Sequence, residues 1–148
     1  MLLSLLFLAC GDKATDTASE PEADTSVEPA FDCTQDYAFC AELSVPSDFQ
    51  GTPKNLTLAL YSSLPPMGPP DVILAQVSSP EIGIGNNYAV ELHPITASGD
   101  YHLYVSLYME GGGEWMPASG IDYSLSTDAI SFTGSAVDMG ELKLILAE

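Results

Sequence analysis

The chain from Phe31 to Glu148 is predicted to be all-β. The expected form is a single antiparallel β-sandwich of about seven short strands, preceded by a disordered tether. Apolar residues in this region alternate with a period of two, Gly and Pro breakers recur at short intervals, and no stretch between breakers sustains a helical period. An up-and-down barrel is the second architecture compatible with the same pattern. Residues 31–148 are enough chain for one hydrophobic core and too few for two.

The strongest strand signals lie in three places. Asn55–Tyr61 puts Leu56, Leu58 and Leu60 on one side. Asp100–Met109 alternates over a longer span, with Tyr101, Leu103, Val105, Leu107 and Met109 expected inward and His102, Tyr104, Ser106 and Tyr108 on the opposite side. Glu141–Leu146 is expected as a closing strand whose leucines face the core. Weaker candidates are Phe39–Val45, Asp71–Ser78, Asn87–Leu92, Tyr123–Ser126 and Ala129–Thr133. Turns are signalled by Pro53, the pairs Pro65-Pro66 and Pro69-Pro70, Gly85-Asn86, Ser98-Gly99-Asp100 and Gly111-Gly112-Gly113.

The N-terminal segment points to an address. Leu5-Leu6-Phe7-Leu8-Ala9-Cys10-Gly11 is an apolar run that ends in a small residue followed by cysteine. It is too short to cross a bilayer as a helix, which takes about 20 apolar residues. The run resembles the lipobox of bacterial lipoproteins, with Phe7 and Leu8 standing where that pattern usually carries a branched aliphatic and a small residue. The resemblance implies that residues 1–9 are a signal peptide and that Cys10 is lipidated, becoming the N-terminus of a membrane-anchored protein. Gly11 stands where an Asp often retains such proteins at the inner membrane, so the expected location is the bacterial cell envelope, at the outer membrane. Residues 10–30 then form the lipidated cysteine and an acidic linker with one sizeable apolar side chain, Val27. Such a stretch buries too little surface to offset the entropy of ordering. As a coil of about 20 residues it reaches roughly 25 Å, enough to lift a domain off the headgroups.

With Cys10 carrying lipid, Cys33 and Cys40 remain as an even pair. In an exported protein such a pair is expected to form a structural disulfide. The alternative, a metal or redox pair, has neither the CxxC spacing nor a neighbouring His.

Three Lys and no Arg stand against 21 acidic residues, a formal net charge of −18. That balance excludes a nucleic-acid partner, which needs a basic face to displace counterions from phosphates, and disfavours anionic headgroups and phosphorylated substrates. No calcium loop of the D-x-D-x-D-G type is present, and no metal or cofactor is expected.

Ile95-Thr96-Ala97-Ser98-Gly99-Asp100-Tyr101-His102-Leu103-Tyr104-Val105 resembles a signature of transthyretin-like (prealbumin-like or carboxypeptidase-regulatory-like) modules, in which a glycine turn launches a strand whose tyrosine packs into the sandwich. The resemblance implies a fold, transthyretin-like or immunoglobulin-like, and not an activity. The hydrolase known in that group needs conserved His and Arg residues and a terminal Tyr-Arg-Gly-Ser, whereas this chain has no Arg and ends in Leu-Ala-Glu.

No G-x-S-x-G elbow, H-E-x-x-H helix or phosphate-cradling loop occurs, and the expectation is a non-enzyme. His93 and His102 would need a carboxylate neighbour to serve as bases. The best recognition candidate is the segment around Gly111-Gly112-Gly113, which carries Glu114, Met116 and the chain's only tryptophan, Trp115. Together with Tyr108, Tyr104 and His102 these residues are expected to form an aromatic platform for a protein or sugar. The plain alternative is that the glycines turn a hairpin and Trp115 packs over the core edge. The functional expectation is an envelope lipoprotein whose sandwich binds or scaffolds an envelope protein or glycan. Its competitors are a small polysaccharide hydrolase working through two carboxylates and a passive spacer.

Overall fold

The computed structural model describes residues 31–110 and 115–148. Residues 1–30, with the expected signal peptide, Cys10 and expected linker, and residues 111–114, with the glycine run and Glu114, lie outside the described residues. Eight strands form in chain order: β1 (Phe39–Ser44), β2 (Asn55–Tyr61), β3 (Val72–Ser78), β4 (Tyr88–Leu92), β5 (Gly99–Tyr108), β6 (Tyr123–Phe132), β7 (Val137–Lys143) and β8 (Ile145–Leu146). They make a sandwich of a three-stranded sheet, β4-β1-β7, and a five-stranded sheet, β3-β2-β5-β6-β8. The all-β class holds.

The core lies between the sheets. Leu56, Leu58 and Leu60 from β2 and Leu103, Val105 and Leu107 from β5 have no exposed surface. Phe39, Ala41 and Leu43 of β1 meet them from the smaller sheet. Alternation places these side chains, and each leucine taken fully from water contributes about 1.5–3 kcal/mol. Gly99, with φ of +119°, opens β5, and Tyr101 then sets its ring edge-on to Phe132 at 6.2 Å between centroids.

The sandwich departs from the expected one at three points. All strand pairs are antiparallel except β1 with β7, which run parallel. Period-two alternation is the same in both kinds of pairing, so side-chain pattern cannot announce it. The two weak strands expected over residues 123–133 are one strand, β6, which continues past an irregularity in register opposite β5 between His102 and Tyr104. The closing strand begins earlier than expected and then changes sheets. β7 pairs with β1, whereas β8 pairs with Tyr123 and Ser124 of β6. Leu144 sits at the crossing and is fully buried, but Leu146, expected to face the core, is 45 % exposed. A chain passing from one layer to the other breaks the alternation that assigned its leucines to one side.

Cys33 and Cys40 are joined as a disulfide, with 5.8 Å between Cα atoms. A loop this short is stabilised by at most about 2–3 kcal/mol on closure. The loop is also held to the β6–β7 turn, where the Tyr37 amide donates to the Gly134 carbonyl at 2.8 Å. Gly134 has φ of +92°, and a Cβ there would fall 3.0 Å from the Tyr37 ring, so this contact requires glycine.

Candidate functional site

The outer face of the five-stranded sheet is set by the leucines on its inner face. With Leu56, Leu58 and Leu60 inward, Asn55, Thr57, Ala59 and Tyr61 of β2 must point away from the core. Register carries this pattern across the sheet. Asn55 stands between Ser78 of β3 and Tyr108 of β5, and Thr57 between Gln76 and Ser106. Ala59 and Tyr61 pair with Tyr104 and His102. The outer face therefore has an amide and hydroxyl end and an aromatic end.

A cleft of about 500 Å³ opens over the first end. Asn55, Thr57, Gln76 and Ser78 line it with polar groups, and Tyr108 and Trp115 with rings. Pro69 and Pro70, from the loop joining β2 to β3, also line it. The proline pairs thus act as a stiff connection whose second pair borders the cleft.

The segment that brings Trp115 here is tied down by Asp122. This buried carboxylate accepts hydrogen bonds from the Met109 amide through Oδ1 at 2.8 Å and from the Ala118 amide through Oδ2 at 2.7 Å. One side chain thereby fixes the backbone at Met109 and at Ala118, three residues after Trp115. Trp115 remains 37 % exposed, so part of its ring is open to a ligand.

Tyr108 and Ser106 correct the sequence expectation. Both point away from the core as expected, but they are only 4 % and 2 % exposed. Tyr108 is part of the cleft's buried lining and not a free-standing platform. Burial pushes its phenol above the ordinary tyrosine range, as do the neighbouring Asp122 and Tyr104, against the opposing effect of its hydrogen bond with Ser106. Tyr61 is raised for the same leading reason, with Tyr108, Tyr104 and Asp71 adding to it. Tyr61 and Tyr104 meet edge to face at 5.8 Å. The raised Tyr61 and Tyr108 phenols stay neutral at neutral pH.

The candidate residues therefore divide. Tyr108 and Trp115 come together in the cleft. Tyr104 and His102 share the sheet face but lie toward its other end, opposite Ala59 and Tyr61. His102 is half-buried, and its Nδ1 donates to the carbonyl of Thr127 at 2.9 Å, since a carbonyl can only accept. Met116 is 43 % exposed beside Trp115 but does not line the cleft. Reasoning from sequence missed Asn55, Thr57, Gln76 and Ser78. The polar positions of β2 were readable as the reverse side of its leucines, but their meeting with β3 depends on register.

Chemically, the described lining is mixed: Leu56, Ile73, Val77 and the two prolines give it an apolar wall beside the amides, hydroxyls and aromatic faces, with no Asp or Glu among them. Among the described residues no group of three or more His, Cys, Asp or Glu side chains is arranged to hold a metal ion. No protein-family model matches the chain, and no curated protein or solved structure matches it either.

Proposed function

We propose that the chain is a lipid-anchored protein of the bacterial envelope whose sandwich is a non-enzymatic binding module for an envelope glycan or protein. The observation that carries the binding half is the cleft in which Trp115 stands with Tyr108 beside a row of amide and hydroxyl side chains. Partly exposed tryptophan in a concave, uncharged setting is the usual form of a recognition anchor. The anchoring half is supported by the apolar run before Cys10 and the acidic linker after it.

The test is capture in cells by cross-linking of the full-length chain, with Cys10→Ala and Trp115→Ala as paired variants. The expected result is loss of membrane association in the first and loss of cargo with retained membrane association in the second. Unchanged capture in Trp115→Ala would remove the cleft from the function. Unchanged membrane association in Cys10→Ala would remove the lipid anchor.

A further inference from the structure

The cleft's size, charge and row of polar groups narrow what it would hold. We infer that its ligand is a neutral oligosaccharide built of pyranose rings, an inference that rests on the binding-module reading and specifies its ligand.

Size comes first. Stable protein interfaces bury about 1,600 Å² over broad surfaces, whereas small-ligand sites are concavities of about 300–1,000 Å³. At about 500 Å³ this cleft belongs with the second kind. Charge comes next. The described lining has no ionisable acid or base other than the Tyr108 phenol, and the chain as a whole carries −18. A polyanionic glycan or nucleic acid would meet repulsion on approach from the chain as a whole and no cation among the described lining residues, Lys54 standing just outside them. A neutral ligand meets neither penalty.

The pattern of groups then selects sugar over a purely apolar molecule. Ser78 with Asn55 and, one rung on, Gln76 with Thr57 line the cleft across β3 and β2, while Tyr108 and Ser106 opposite them on β5 are almost wholly buried. Adjacent strands stand about 4.8 Å apart and outward residues on one strand about 6.7 Å apart. Amides and hydroxyls at that spacing match the hydroxyl rim of a pyranose. The exposed part of Trp115 offers a flat apolar surface for the ring's C–H face. An apolar ligand would leave Asn55 and Gln76 desolvated without partners, at a cost of about 1–3 kcal/mol for each.

Trp115 is the only tryptophan in the chain, so intrinsic fluorescence of the full-length protein reports directly on the cleft. The experiment titrates that signal with cellopentaose, chitopentaose and maltopentaose, and with polygalacturonate as the anionic comparison. A saturable shift with at least one neutral sugar and none with polygalacturonate is expected. Asn55→Ala and Gln76→Ala should each weaken binding about tenfold. Ser135→Ala, in the exposed β6–β7 turn, should leave it unchanged. Calorimetric titration of Trp115→Ala should show about a tenfold to hundredfold loss.

Polygalacturonate binding as tightly as the neutral sugars would overturn the charge argument. No saturable shift with any neutral sugar would overturn the inference. If cells then yield a protein cross-linked in a Trp115-dependent manner, the binding-module reading stands with a different ligand. If they yield neither, both fall.

Discussion

The two faces of the five-stranded sheet are both largely withdrawn from water over β2 and β5, but by different means. On the inner face Leu56, Leu58, Leu60, Leu103, Val105 and Leu107 are covered by the opposing sheet and mix with one continuous core. On the outer face no second sheet lies opposite, yet Ala59, Tyr61, Ser106 and Tyr108 are each under 5 % exposed. Aromatic neighbours cover part of that face, and Pro69, Pro70 and Trp115 come in beside it. A core tolerates any apolar filling of the right volume, whereas the outer face depends on particular polar and aromatic groups in register. The first arrangement makes the fold, and the second leaves a concavity.

The largest expected effect separates the two faces directly. Leu58→Ala on the inner face should cost about 2–5 kcal/mol in urea unfolding. Its chain neighbour Thr57→Ala, on the outer face, should cost less than about 1 kcal/mol. Similar losses for both would mean that the outer face is a second core and not a binding surface.

Asp122 comes next, because it holds the segment that carries Trp115 into the cleft. Replacing it by Ala leaves two amides, those of Met109 and Ala118, without their carboxylate acceptor. We expect a loss of about 1–3 kcal/mol and a red shift of tryptophan emission. Asp122→Asn, which keeps one acceptor oxygen, should lose less. An unaltered emission spectrum in Asp122→Ala would show that Trp115 is held by something else.

The smallest effect concerns pH. Tyr61 and Tyr108 are raised in the fold, chiefly by burial, whereas in the unfolded chain they ionise near the ordinary value of about 10. Their neutral forms thus favour the folded state, fully so below that value. The contribution is lost as pH rises from there through the folded-state pKa values. Ultraviolet titration of tyrosinate should show a late-ionising component that Tyr61→Phe and Tyr108→Phe each reduce, together with alkaline destabilisation that Tyr61→Phe lessens. A titration with no late component sensitive to either substitution would contradict the burial of the outer face.

Much of the fold was legible because it rests on local pattern. The leucines of β2, the apolar positions 103, 105 and 107 of β5, and the breakers between strands all follow from period-two geometry and backbone chemistry. The pairing of Cys33 with Cys40 was expected from counting and is present. The change of sheet at Leu144 was not legible, since a leucine on a strand and a leucine between two sheets look alike in sequence. Nor was the burial of Tyr108 and Ser106, because alternation tells which way a side chain points and not what covers it.

By itself, then, the sequence determined the all-β class, the inner faces of the long strands and a strongly acidic chain. Those are consequences of neighbours along the chain and of summed charge. The parallel β1–β7 pair, the rung of Ser78, Asn55 and Tyr108, and the placing of Trp115 in the same cleft were decided only by tertiary structure. Each depends on register between segments far apart in sequence, and register is settled by how whole faces pack.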